Sequence, residues 1–301
     1  MKKIVFLGIL LLSITAVVAQ TITIKKTYCP MDQKGFHPKF NSNGNLLAFT
    51  SESYVGLDVY NFKDKSIVKI SEESGAGFQP VFSKNNDKVF YKSRTYDSRL
   101  RKEGVKSFDL AQKTRMVMME PRRDMKQMQS FENGFVVFSD RKLLKATIGR
   151  TAAPVPNYVW SDGNNLKIFK NNIVHVLNPV KDANGYIWAS LSPNGKMILF
   201  TAAGQGTFIC NLDGKIITKL GYLNAPEWYN DQFVVGMQDK DDGQFVTSSK
   251  ILIKSIDGKT EKIVNAPQQI AMYPAAASSV GKIAYNTIDG DIYVVELEIS
   301  K

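Results

Sequence analysis

Ser192-Pro193-Asn194-Gly195-Lys196-Met197-Ile198-Leu199-Phe200 is the stretch whose reading decides the fold. A polar turn ends one strand, and an unbroken apolar run begins the next. Glycine after asparagine accepts the positive φ of a tight turn without a Cβ clash. Outward from this turn, four short runs at 186–191, 196–202, 207–212 and 216–220 are rich in β-branched and aromatic residues. Pro-Asn-Gly, Gly-Gln-Gly and Asp-Gly turns separate them. Four antiparallel strands in so short a span make one blade of a β-propeller.

The unit recurs. His37-Pro38-Lys39-Phe40 through Phe49 repeats it, as does Gln79-Pro80-Val81-Phe82-Ser83 through Tyr91. Weaker copies start at Pro226-Glu227-Trp228 and Pro274-Ala275-Ala276, and a degenerate one runs from Gln127 to Phe138. Aligned at Pro38, Pro80, Gln127, Ala189, Pro226 and Pro274, the copies lie 42, 47, 62, 37 and 48 residues apart. A period of roughly 40–50 residues is the propeller signature. The reading is an all-β propeller of six four-stranded blades, with seven as the other option. The choice turns on 142–181, where strands are expected at 143–148, 157–160, 166–169 and 173–177. That stretch either enlarges the third blade or forms an irregular seventh; the alignment favours six because six positions carry the motif. The aligned prolines belong on innermost strands, where a missing donor is tolerated. Thr21-Ile22-Thr23-Ile24-Lys25 alternates as a strand should and has no blade of its own. It is expected to complete the last blade and close the ring, hiding a strand edge. A β-sandwich is the competing fold, and a period surviving along the whole chain argues against it.

Residues 1–19 read as a secretory signal peptide: Met1-Lys2-Lys3, an apolar run from Ile4, and Val17-Val18-Ala19 before the expected cleavage. The run is short for a membrane anchor and contains Ser13 and Thr15, and no second such run follows. Cys29 lies too far along for lipid attachment. The expectation is one propeller domain over 20–301, without a transmembrane segment, monomeric, and soluble in the periplasm or secreted. Of the two cysteines, Cys210 reads as a small buried apolar residue, so a Cys29–Cys210 disulfide is not expected.

Net charge is +11, and the excess is local: residues 92–126 hold eleven basic residues against five acids. Export excludes nucleic acid as the target. An exported basic face fits an anionic lipid headgroup, an acidic glycan or an acidic protein; a solvated loop is the plainer alternative. Arg94, Arg99, Arg101, Arg122 and Arg123 are the binding candidates there. Trp188, Trp228, Tyr229 and Tyr273 fall on or beside innermost strands, where they either line the channel mouth or pack between blades. Asp239, Asp241 and Asp242 could hold a hard cation such as Ca²⁺. Gly243 breaks the calcium-loop spacing, and a plain hairpin turn reads equally. No other cofactor is implied. Only His37 and His175 are histidines, and no nucleophile-elbow, zincin, Cys-x-x-Cys or phosphate-loop pattern occurs.

Ser192 to Phe200 and Phe40 to Phe49 resemble the Ser-Pro-Asp-Gly-Lys repeat of TolB-like propellers, a superfamily that includes the propellers of prolyl-oligopeptidase-type peptidases. The later blades are similar in style to exported propellers common in Bacteroidota. The resemblance implies the fold and little about function. The α/β domain of TolB and the hydrolase domain of the peptidases have no counterpart in this sequence, so neither role transfers. The expected function is a non-catalytic exported module that binds an envelope protein or acidic polymer. The alternative is a glycan hydrolase or lyase, which needs carboxylates converging on the channel.

Overall fold

The computed structural model describes residues 20–300; the signal-peptide reading of 1–19 lies outside the described residues. The chain forms a ring of seven antiparallel sheets, entered by β1 (Thr21–Tyr28). Blade 1 holds β2 (Phe36–Phe40), β3 (Leu46–Thr50), β4 (Val55–Asn61) and β5 (Ile67–Ser74). Blade 2 holds β6 (Val81–Phe82), β7 (Lys88–Asp97), β8 (Leu100–Asp109) and β9 (Arg115–Arg122). Blades 3 and 4 have three strands each: β10 (Gln129–Phe131), β11 (Gly134–Ser139) and β12 (Lys142–Thr147), then β13 (Tyr158–Ser161), β14 (Leu166–Lys170) and β15 (Ile173–Val176). Blade 5 holds β16 (Tyr186–Leu191), β17 (Met197–Ala202), β18 (Gly206–Asn211) and β19 (Ile216–Gly221). Blade 6 holds β20 (Asn224–Trp228), β21 (Phe233–Asp241), β22 (Val246–Ser255) and β23 (Glu261–Ile263). Blade 7 holds β24 (Ala271–Ala277), β25 (Lys282–Thr287) and β26 (Ile292–Ser300), with β1 as its outermost strand.

The preference for six blades is therefore replaced by the second option. Residues 158–176 make a blade of their own, and the long gap in the period is where it hides. The closure reading holds: β1 pairs antiparallel with β26 from Thr21↔Ser300 to Tyr28↔Val294. The only helical element among the described residues is a 3-10 turn at Ser278–Val280.

The core explains the count. Buried apolar side chains fall into seven clusters, one at each interface between neighbouring blades. Phe138 against Trp160 and Tyr158 joins blades 3 and 4, while Leu166 and Ile168 join blade 4 to Tyr186 and Phe200 of blade 5. Each sheet is thus covered on both faces. The second strand of a blade is accordingly an almost continuous buried run, as in 134–139 and 197–202, and not an alternating one.

Up-and-down strands put the loops on two faces. One face carries the turns between first and second strands, and these turns interlock around the ring. Ser42 Oγ and Asn86 exchange hydrogen bonds between blades 1 and 2, and Ser279 Oγ donates to the Ser42 carbonyl from blade 7. Asn194 N donates to Asp231 Oδ1 between blades 5 and 6. Inside the deciding motif, Ser192 is 3% exposed. Its Oγ accepts from Met197 N at 3.0 Å and Lys196 N at 3.2 Å and donates to Asn194 Oδ1 at 2.8 Å. Truncating it takes the side-chain acceptor from the half-buried Met197 N–H, while Lys196 N keeps Asn194 Oδ1. Ser192→Ala is expected to lower stability by about 1–2 kcal/mol, read as a lower urea midpoint at unchanged slope.

Candidate functional site: the hairpin face

The opposite face carries the entries to the innermost strands and the turns between second and third strands. Two hairpins rise from it. The β7–β8 hairpin of blade 2 and the β21–β22 hairpin of blade 6 have strands of nine or ten residues, against five to seven for the matching strands of blades 1 and 5.

The channel mouth is built by a repeated backbone device. His37 (φ 53°), Gln79 (φ 53°), Trp188 (φ 53°), Ala225 (φ 44°) and Tyr273 (φ 51°) are non-glycine residues in the left-handed region. Each stands directly before Pro38, Pro80, Ala189, Pro226 or Pro274, the positions that defined the repeat. In blades 1, 5, 6 and 7 the ladder slips at this point, as between Phe36 and Lys39 or Met272 and Ala275. A bulge re-aims a side chain out of the pleat. Left-handed backbone at a residue with a Cβ costs about 1–2 kcal/mol. Such strain persists where packing over-determines it, and it clusters at functional sites.

These bulges assemble an aromatic group. His37 stacks on Tyr54 at 4.0 Å between centroids and lies 4.2 Å from Tyr273. Phe78 meets Tyr54 edge-on at 5.2 Å. His37 N donates to Asn286 Oδ1, and its Nε2 lies 3.2 Å from the Glu52 carbonyl. Burial lowers the His37 pKa and outweighs that carbonyl and the Glu52 charge. Burial pushes the Tyr54 phenol up to about 12; burial and the charges of Asp239 and Glu52 raise that of Tyr273. Across the ring, Lys39 of blade 1 pairs with Glu227 of blade 6 at 2.5 Å.

On blade 2 the basic residues divide in two. Glu103 collects Lys92 at 2.9 Å, Arg94 at 3.4 Å and Arg101 at 4.0 Å. Glu73 accepts from Ser93 and Lys106 beside it. Burial raises the Glu103 carboxyl, but the charge and hydrogen bond of Lys92 and the charges of Arg101 and Arg94 win and hold it below the usual range. Arg94 and Arg122 are half-buried and committed, the latter to Asp140 at 2.7 Å. Arg99 at the hairpin tip and Arg123 on the way to blade 3 are exposed and make no ion pair among the described residues; Arg101 is also exposed. Tyr96 and Leu100 add exposed apolar surface at the tip.

The structure thus gathers Arg94, Arg99, Arg101, Arg122, Arg123, Trp188 and Tyr273 on one face. It does not bring Trp228 and Tyr229 there. They end the innermost strand of blade 6 at the other face, because the strand runs away from the mouth. Trp228 packs between blades 5 and 6 and Tyr229 between blades 6 and 7. Asp239, Asp241 and Asp242 sit on the β21–β22 hairpin without converging. Asp239 accepts from Asn224 Nδ2, Asp241 caps Gly243 N, and Asp242 caps Gln244 N and Phe245 N. Among the described residues no group of three His, Cys, Asp or Glu is placed to hold a metal ion. Cys29 and Cys210 are both free, the former exposed and the latter buried. His175 lies on the outer strand of blade 4, away from the mouth. Tyr54 and Phe78 had no signal of their own in the sequence; Gln79, like His37, Ala225 and Tyr273, could have been found as the residue preceding an aligned proline.

Among the described residues no helix is long and apolar enough to cross a membrane. No family model and no curated protein matches the sequence. Solved structures do. TolB from Acinetobacter baumannii superposes with a TM-score of 0.54 at 17% identity, over 80% of this chain and 57% of that one. The propeller domain of Myceliophteria thermophila Cps50 (Swd1) does so with a TM-score of 0.59 at 11% identity, over 92% and 99%. The chain therefore spans little more than half of the TolB chain and nearly all of the Cps50 propeller, and at these identities the likeness is one of fold.

Proposed function

We propose that the protein is a non-catalytic binding module of the bacterial envelope that holds an acidic partner, a protein or an envelope polymer, against its hairpin face. One observation carries the reading. Strained left-handed side chains, a stacked aromatic mouth and unpaired arginines converge on one face, while the other face is tied up by its own turns. Export rests on the leader-like residues 1–19 and TolB-like ancestry on the repeat and the shared fold. The carboxylate at the channel, Glu227, is neutralised by Lys39, which favours binding over hydrolysis.

The test is affinity capture from an envelope extract with the wild-type protein and with Arg99→Ser/Arg101→Ser/Arg123→Ser as baits. These side chains are exposed, so the melting temperature is expected to stay within about 2 °C of wild type, as surface changes are usually small. Recovery of the partner is expected to fall about tenfold, ~1.4 kcal/mol, and wild-type recovery is expected to fall with salt. Equal recovery by both baits contradicts the proposal.

A further inference from the structure

A second concavity lies beside the mouth on the flank of blade 1, where the connection from β1 to β2 passes the β3–β4 turn. It is an open cleft of about 460 Å³, within the size range of small-ligand sites. Phe36 and Phe49 give it an apolar floor and Val55 an apolar edge, and Gln33 and Asp58 line it beside them, Asp58 standing directly opposite Phe49 in the ladder. Its shape comes from β4, whose ladder to β5 slips twice, between Val55 and Leu57 and between Leu57 and Asp58. Gly56, at φ +76°, permits the first slip. Bulged strands of this kind are common beside binding sites.

We infer that this cleft binds a small organic cation, an ammonium or guanidinium carried on an apolar stem. The charge arrangement selects the sign. Lys34 is committed to Asp291 at 2.5 Å and Lys69 to Glu72 at 2.9 Å. Asp58 accepts one hydrogen bond, from Gln33 Nε2 at 3.0 Å, and makes no ion pair among the described residues. The two lysines thus face three carboxylates, and the surplus negative charge sits on the half-buried one. Burial raises the Asp58 carboxyl above its ordinary range, and the Gln33 hydrogen bond and the Lys69 charge do not offset it. A carboxylate kept in a cleft against its own desolvation is stabilised by an incoming cation, and the phenyl floor and aliphatic edge take the stem. The inference goes beyond the proposed envelope role and stands without it.

The probes are phenylbutylamine, phenylbutyrate as the same stem with the opposite charge, and acetyl-phenylalanyl-lysine amide as a protein-borne cation. Amide NMR titration of the wild-type protein is expected to show shifts confined to 33–36, 49–51, 55–58 and 69–72 with an amine probe and none with phenylbutyrate. Preference for phenylbutylamine marks a free amine as the source, and preference for the peptide marks a partner side chain; either supports the site. Asp58→Asn keeps the Gln33 hydrogen bond and removes the charge. It is expected to weaken the amine about tenfold while melting no lower than wild type, because the raised carboxyl opposes folding above its own titration. Binding of phenylbutyrate as tight as the amine, unchanged affinity in Asp58→Asn, or no shifts with either amine overturns the inference.

Discussion

Deleting residues 21–28 is expected to lower the melting temperature by about 10 °C or more, since a loss of ~4 kcal/mol moves a chain of this size by roughly 2–4 °C per kcal/mol. The strand lies first in sequence but last in the ring. It covers the outer edge of β26 from Val294 to Ser300 with seven residue pairs. Ile22, 7% exposed, packs into the cluster between blades 6 and 7 with Val295 and Leu297. Burying such a side chain contributes about 2 kcal/mol. Tyr28 Oη donates to Glu296 at 3.0 Å and packs against the cluster between blades 7 and 1. Burial and then the Glu296 carboxylate keep that phenol protonated well above its usual range. The Lys25–Glu298 pair is exposed and contributes little. Without β1 the covalent tie from the last blade to the first is gone, and an unpaired edge invites association. Calorimetry on the chain with and without the strand gives the answer; superimposable melts contradict closure by β1.

Glu103→Ala is expected to be the most damaging single substitution in the basic hairpin. Lys92 is 3% exposed and Glu103 8%, and among the described residues Lys92 Nζ has only Glu103 at 2.9 Å, the Met125 carbonyl at 3.5 Å and the Phe78 ring. Burial lowers the Lys92 pKa even with Glu103 beside it. Stranding one charge of a buried pair costs about 3–5 kcal/mol, whereas replacing both is often neutral. Urea unfolding should therefore show Glu103→Ala far less stable than wild type, with Lys92→Met/Glu103→Ala recovering most of the loss. A single variant within ~1 kcal/mol of wild type contradicts the buried-pair account. The pH dependence has a defined sign. The Glu103 carboxyl titrates lower in the folded chain than in the unfolded one, so its contribution is complete above the ordinary carboxylate range. It is lost as pH falls through the folded value. The gap between wild type and Glu103→Gln is expected to narrow on the acid side.

Blade 5 was legible almost to the residue because Ser-Pro-Asn-Gly and Asp-Gly turns punctuate it and its strands carry their own β-branched runs. Blade 4 was legible only as strands. β13 and β15 are four residues each, and β14–β15 turns on Asn171-Asn172, with φ of 52° and 63°. Its first strand follows Pro154 and Pro156 with no aligned proline. Nothing in the residues said that packing Trp160 on Phe138 and Leu166 beneath Tyr186 would make a separate layer. The site was legible by sector. Clustered charge marked the β7–β8 hairpin as the candidate, yet it could not tell that Glu103 ties down Arg94 while Arg99 makes no ion pair among the described residues. The mouth was hidden for a different reason: left-handed backbone at His37, Trp188 or Tyr273 is imposed by the bulge and the ring around it, not by residue type. Trp228 shows the converse, an aromatic two residues past an aligned proline that packs between blades because the strand has already left the mouth.

Hydrogen–deuterium exchange on the complex recovered by the wild-type bait tests the central claim most directly. The account predicts slowed exchange at 51–54, 75–79, 95–103 and 122–128, with the turns at 41–45, 83–87 and 192–196 unchanged. Protection confined to those interlocking turns, with the hairpin and mouth unaffected, contradicts it.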